Sequence, residues 1–408
     1  MKLKFNSDGK FKILLFGDIH EHYDFETNPR FKDMNKLMNA ALDECKPDLC
    51  VLLGDTCNTN KIADEPEAFE KMLRAVVEPI TRRKIPVAAV LGNHEHDHGH
   101  EDDIVEIYNR IDGMIIRNES PEDVTGNANF KELVYSSDGE KPVFCLWFID
   151  SNNCFEDRSL SHYDYVHPDQ IEWFEKECGK LKEANGGNPM PSFVFQHTPV
   201  PEEYELLRKA RFWELPVAVR GYNSKRGTFY VGKKGTMDYV GEGPCSPEVN
   251  SGQFASWKKV GGILGAFFGH DHLNDFSGFY DGIYMAQHKT AGFRAYTDGC
   301  KSCVRLVTID EKNPQKFTQE LKRFKQFGLK SESLGPVMRT ISDRQSFWLH
   351  VFGYAAAAVG GITVLIFIIK KLIEVFGGKN HGKSKKTQSF ADTQYPSFRI
   401  YGSGCMGS

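Results

Sequence analysis

The chain lacks a disulfide framework, an excess of charge of one sign, an internal repeat and an apolar run at its start. Ten cysteines are scattered over 408 residues, and Cys50 and Cys145 lie inside apolar runs, where a thiol behaves as a small hydrophobe. That spacing excludes a small disulfide-stapled scaffold. Cys300 and Cys303 form one CxxC with no second pair, so they are expected as turn residues and not as a metal or redox site. The formal charge is -4, and nothing global draws the chain to nucleic acid, so no nucleic-acid partner is expected. Met1 to Lys12 carries Lys2, Lys4, Lys10 and Lys12 without a continuous apolar stretch, and no secretory signal peptide is expected there.

What the chain does have is the composition of a folded domain, 40% hydrophobic and 26% charged, and a length that calls for a large domain plus something more. Apolar runs ending in polar motifs recur at Lys12–Phe16, Leu49–Leu53, Pro86–Leu91, Val143–Ile149, Ser192–Phe195 and Ile263–Phe268, each read as a buried strand. Segments of helical period lie between them, at Phe31–Cys45, Pro66–Arg83 and Asp169–Glu183, the last opening after Pro168. Strand alternating with helix predicts a layered α/β domain, with ligands beyond the carboxyl ends of the strands.

Those strand ends carry the chemistry. Asp18-Ile-His20 puts a carboxylate and an imidazole on one side of an extended backbone, a pair able to grip a metal. Gly54-Asp55 offers a tight turn and a carboxylate whose two oxygens can bridge two cations. In Gly92-Asn93-His94-Glu95, Asn93 supplies an amide oxygen and His94 is left for acid or positioning work. His197 follows a fifth strand and His270-Asp-His272 a sixth. Two aspartates, one asparagine and four histidines make a mixed N/O set suited to Zn, Fe or Mn over Ca or Mg.

These blocks resemble the calcineurin-like metallophosphoesterase superfamily, whose pattern is DxH, GD, GNH[ED], a lone His and GHxH. Phe195-Gln-His-Thr-Pro-Val-Pro-Glu-Glu-Tyr204, Asn250-Ser-Gly252, Gly269-His-Asp-His-Leu-Asn-Asp275, Phe148-Ile-Asp-Ser151 and Trp173-Phe174 look more closely like the purple-acid-phosphatase-related branch, of the fungal and plant cell-cycle-regulator type. The resemblance covers roughly residues 3–310 and implies a four-layer α/β/β/α sandwich with two mixed sheets. It implies one metal held by Asp18, His20, His272 and bridging Asp55, and a second by Asn93, His197, His270 and Asp55, with His94 stabilising the phosphoryl group or protonating the leaving oxygen. Purple enzymes have a tyrosine three residues after the bridging aspartate; here that position is Asn58, so no charge-transfer colour is expected and the two divalent or mixed-valence ions are left as Fe, Zn or Mn.

The expected activity is hydrolysis of a phosphate monoester, on a phosphoprotein or a small phosphate ester. Two cations neutralise the phosphoryl oxygens and activate a hydroxide for in-line attack. A phosphodiesterase of the same superfamily and a non-catalytic membrane-tethered module are the alternatives. His96, His98 and His100 are expected in a solvated loop, as are Arg220, Lys225, Arg226, Lys233 and Lys234 in the Gly/Lys-rich stretch near 211–255.

Beyond the catalytic domain, placed at 1–311, residues 312–346 are expected to form a basic amphipathic juxtamembrane segment, with Phe317, Leu321, Phe324 and Leu329 on one helical face. Residues 347–369 carry a single ionisable side chain, His350, and are long enough for a transmembrane helix in a lipid bilayer. On that helix Gly353, Ala357 and Gly361 recur on one face, which points to a homodimer. The tail at 370–408 is polar and expected to be disordered. Lys370, Lys371, Lys379, Lys383, Lys385 and Lys386 follow the helix, against Lys330, Arg339 and Arg344 before it. That bias favours a cytosolic tail and an exoplasmic enzyme, whereas the missing signal peptide favours the reverse; the charge bias is taken as the slightly stronger guide.

Overall fold

The computed structural model describes residues 2–58, 65–98, 101–341 and 344–377. It divides into two units, Met1–His350 and Val351–Ser408. In the first unit, β1 (Lys10–Phe16), β2 (Leu49–Leu52), β3 (Val87–Ala89) and β4 (Met114–Ile115) run parallel and adjacent. The chain then moves to a second sheet with β5 (Phe130–Tyr135), β6 (Pro142–Phe148) and β7 (Ser192–Gln196). A small antiparallel sheet follows, with β8 (Leu207–Lys209) and β9 (Val219–Arg220) flanking β10 (Phe229–Gly232). β11 (Ile263–Phe268), β13 (Ile283–Gln287) and β12 (Ser277–Tyr280) complete the second sheet in the order β12-β13-β11-β7-β6-β5. β14 (Cys303–Asp310) returns antiparallel beside β1, and β15 (Phe317–Arg323) closes the first sheet as β15-β14-β1-β2-β3-β4. Both large sheets are therefore mixed.

Side-chain alternation explains why these strands read as unbroken apolar runs. Phe144, Leu146 and Phe148 of β6, Phe193 and Phe195 of β7 and Phe267 of β11 face the first sheet, in one core with β1, β2, α1 (Pro29–Cys45) and α2 (Pro66–Thr81). Their neighbours Cys145, Trp147, Val194, Ala266 and Phe268 face the other way, against Trp173 and Phe174 of α4 (Pro168–Ala184) and Phe254 and Trp257 of α5 (Gln253–Val260). A strand buried on both faces has no polar face to show. α3 (Glu101–Asn109) joins the helices over the first sheet through Ile104 and Ile107. The result is the four-layer α/β/β/α sandwich that the resemblance implied.

The basic amphipathic helix expected from residue 312 is not formed. Phe317–Arg323 is strand β15, with Phe317, Gln319 and Leu321 more buried than Thr318 and Glu320 between them. Phe317 and Leu321 are four apart, a spacing that satisfies a helical period and a strand period equally. Pairing with β14 decides in favour of the strand, and the turn through Asn313 and Pro314 is the hairpin signal that the periodicity obscured. The body also runs past residue 311: the Ser331 and Ser333 hydroxyls and the Glu332 and Ser333 backbone N–H groups all donate to the buried Asp33 carboxylate at 2.6 to 2.9 Å. A short α6 (Pro336–Thr340) follows.

The last described element is α7 (Arg344–Gly377), one continuous helix. Its span Phe347–Phe376 is long and apolar enough to cross a membrane, and none of it is buried. The tail from residue 378 lies outside the described residues.

Candidate metal centre

Every motif side chain falls just beyond the carboxyl end of a strand: Asp18 and His20 after β1, Asp55 after β2, Asn93 and His94 after β3, His197 after β7, and His270 and His272 after β11. Asp18, His20, Asp55 and His270 adopt positive φ of 51°, 49°, 50° and 76°. Left-handed backbone at non-glycine residues costs on the order of 1–3 kcal/mol each and marks sites where the surroundings dictate the shape. Two glycines make room: a Cβ on Gly54, itself at φ +84°, would lie 2.6 Å from His197 Nδ1, and one on Gly92 would collide with the Asp55 carboxylate.

The side chains converge around Asp55. Its Oδ2 lies 3.3 Å from His20 Nε2 on one side and 3.3 Å from His197 Nε2 on the other, a bridging position. Its Oδ1 accepts the His94 N–H at 2.9 Å, which fixes the carboxylate plane. On the first side, His20 Nε2 is 3.0 Å from His272 Nε2, and His272 Nε2 is 3.8 Å from Asp18 Oδ1. On the second, His197 Nε2 is 3.2 Å from both Asn93 Oδ1 and His270 Nδ1. The structure thus brings together both ligand sets, with His94 at their edge and a nitrogen within 4.8 Å of His20 and Asp55 ligand atoms.

Several features fit cations at these points. Asp18 and Asp55 are buried, and within the described residues neither pairs with a lysine or arginine. His197 Nδ1–H donates to the Leu53 carbonyl at 2.7 Å and His272 Nδ1–H to the Tyr296 carbonyl at 3.2 Å, a tautomer that aims each Nε2 lone pair inward. Ring nitrogens 3.0 and 3.2 Å apart need a proton or a cation between them. Burial holds His20 and His270 well below the usual histidine range and His272 down at about 4, so they are neutral at neutral pH, the form in which an imidazole can take a metal. His197 goes the other way: burial disfavours its charge, but Asp55 outweighs burial and raises it to about 10, supplying in protons the charge that a cation would supply. Burial and the nearby Asp55 charge push Asp18 well up.

His94 differs from the ligands. Its Nδ1 lies 2.7 Å from Asp97 Oδ2; burial lowers its pKa, but the Asp97 hydrogen bond and the Asp55 charge raise it to about 9, so without cations it is an imidazolium at neutral pH.

Sequence reasoning gave Glu95, Asp97, His96 and Asp150 no role. Glu95 is buried and accepts backbone N–H from Gly92, Asp55 and Thr56 at 2.8 to 2.9 Å, pinning the β2 and β3 turns together; its signal was its place next to the Asn-His pair. His96 is not in a solvated loop: it is buried, with Nε2 2.8 Å from Asp150 Oδ1. The side chains of His98 and His100 lie outside the described residues. Tyr163 stands edge-on to His270 and Tyr296 stacks on His272, each with ring centres 4.1 Å apart. Asp275, in the block after His272, takes the Tyr239 N–H at 2.7 Å and pairs with buried Lys289 and with Arg323 of β15.

Paired strand-end carboxylates and imidazoles on a two-sheet sandwich define a metallophosphoesterase. The chain belongs to the calcineurin-like phosphoesterase family, whose model matches residues 11–274. It is 26% identical over 336 residues to "Probable inactive purple acid phosphatase 29" of Arabidopsis thaliana, covering 76% of this chain and 79% of that one. It is 25% identical over 296 residues to "Phosphatase DCR2" of Saccharomyces cerevisiae, covering 67% of this chain but 46% of the yeast protein. A dimetal phosphatase from Danio rerio superposes with a TM-score of 0.43 at 13% identity, over 73% of this chain and 95% of that one.

Proposed function

We propose that the chain is a membrane-anchored phosphatase that hydrolyses phosphate monoesters, of a phosphoprotein or a small phosphate ester, at a centre of two Fe, Zn or Mn ions. The observation that carries this reading is Asp55 Oδ2, equidistant at 3.3 Å from one imidazole of each ligand set. Asp18, His20 and His272 would hold one ion with Asp55, and Asn93, His197 and His270 the other. Bound there, the ions would supply charge neutralisation at the phosphoryl group and a more acidic water.

The chain's own residues do the rest. Glu95 holds the Asp55 turn in register, and the Leu53 and Tyr296 carbonyls keep His197 and His272 in the ligating tautomer. His94, charged and held by Asp97, offers a proton to the leaving oxygen of the ester. The span at Phe347–Phe376 anchors the enzyme in a bilayer and pairs with a second copy through Gly353, Ala357 and Gly361, whose glycines have open space on the helix surface.

The test is hydrolysis by the metal-loaded full chain of an aryl phosphate monoester and the matching bis-aryl diester. The reading expects the larger kcat/KM with the monoester. A preference for the diester would reassign the enzyme as a phosphodiesterase, and no hydrolysis of either would favour a non-catalytic module.

A further inference from the structure

The chain is slightly acidic as a whole, yet residues 207–234 carry Arg208, Lys209, Arg211, Arg220, Lys225, Arg226, Lys233 and Lys234 against a single acid, Glu214. That acid is consumed internally, forked onto Arg208 at 2.6 and 2.8 Å. Lys209, Arg211, Arg226 and Lys234 are exposed and in no ion pair within the described residues. Among these cations the turn between β8 and β9 holds two large apolar side chains out in water. Phe212 is 85% exposed and Trp213 is 70% exposed, with Leu215, Val217 and Phe229 also exposed. The Arg211 guanidinium sits over the Trp213 ring, 5.5 Å from its centre. The body fills its core with Phe and Trp elsewhere, so an exposed Phe-Trp pair on a strongly basic stretch is a patch built for a partner.

We propose that this three-stranded sheet docks on the surface of an anionic lipid bilayer, with Phe212 and Trp213 entering the headgroup boundary and the surrounding lysines and arginines held over anionic headgroups. Charge complementarity selects that occupant: eight basic residues and one acid suit a negative surface. An indole beside a guanidinium suits the headgroup level, and Leu215 and Val217 suit acyl chains. The same chain carries a span long enough to cross a membrane, which keeps its body within reach of one. Tyr222, two residues past β9, stacks on Tyr163, which abuts His270, so docking would set the metal centre close to the lipid surface. Anionic lipid is concentrated on cytoplasmic leaflets, so docking favours a body on that side, the reverse of what the flanking lysines favour.

The inference rests on the anchoring reading, and hydrogen–deuterium exchange separates the two. The full chain is placed in nanodiscs of phosphatidylcholine, in nanodiscs of phosphatidylcholine with phosphatidylserine, and in detergent. Amides of 207–234 are expected to exchange severalfold more slowly in the serine-lipid discs alone, with the protection lost in high salt or in the F212S/W213S double variant, whose turnover of a soluble monoester is unchanged. Equal exchange in both lipids overturns the proposal. So does protection that persists in detergent and grows with protein concentration, which would assign the face to a second copy. Peptides of 347–376 report the anchor independently; if they exchange freely the anchoring reading fails, and the lipid dependence of 207–234 still decides the docking.

Discussion

The carboxyl ends of the two large sheets and the small sheet at 207–232 handle charge in opposite ways. At the strand ends, Asp18 and Asp55 are buried and out of contact with any described lysine or arginine, and His197 and His272 have their tautomers set by backbone carbonyls. On the small sheet and its connecting turns the charges are solvated and mostly unpaired. The difference teaches where to look for large effects. Buried charge is controlled by its few contacts, so one substitution changes the state of the whole cluster. Solvated charge acts through a sum that salt screens.

The comparison breaks most sharply at Asp55. Asp55→Asn is expected to abolish hydrolysis, because an amide cannot supply the negative charge that two cations would share, and to lower the metal-free Tm, because buried His197 loses the carboxylate that keeps it charged. Near-normal turnover in that variant would remove Asp55 from the bridging role.

Asp275 probes a second buried charge cluster, one with no ligand role. Burial raises its pKa, but Lys289 and Arg323 outweigh burial and hold it below the usual carboxylate range. A depressed folded value means that the stabilisation is present above the unfolded pKa of ~3.9 and is lost as pH falls through the folded value. The Tm of the native chain should therefore drop as pH falls below ~4, and this part of the drop should be missing in Asp275→Asn. At neutral pH that variant should lose about 3–5 kcal/mol, the cost of leaving Lys289 and Arg323 short of a partner. An unchanged neutral Tm would show that Asp298 alone satisfies Lys289.

His94 sharpens the contrast between ligand and acid. His94→Ala should lower turnover by ~10²–10⁴ with both metals retained. Loss of metal along with activity would make it a ligand instead. Smallest is Gly361→Leu on the membrane helix, expected to weaken self-association in detergent with no change in turnover. An unaltered monomer–dimer balance would exclude that face.

The fold, and the side chains that gather at its strand ends, were legible in the sequence for one physical reason. A parallel strand buried on both faces is a continuous apolar run, and the polar residue that ends it is conspicuous. Ile263–Phe268 is read to the residue, and Leu49–Leu53 overshoots β2 by only one. What was illegible depended on partners distant in sequence. Phe317 and Leu321 fit two periods until β14 chose one, and Arg323 declares its role only beside Asp275. His96 looked like one of a row of solvated histidines because Asp150, which buries it, is 54 residues away. Asp97 and Glu95 act on neighbouring motif residues through hydrogen bonds, which no spacing rule records. Asn58, where a purple enzyme has tyrosine, stands as the sequence had it, and no visible band is expected from that position.

The most direct test of the central claim is metal content measured beside activity on one preparation of the full chain. Elemental analysis should find close to two transition-metal ions per chain, iron, zinc or manganese, with monoester hydrolysis lost on chelation and restored by metal. A chain that binds no such ion, or that hydrolyses the monoester equally well after chelation has removed every ion, would contradict the two-metal account.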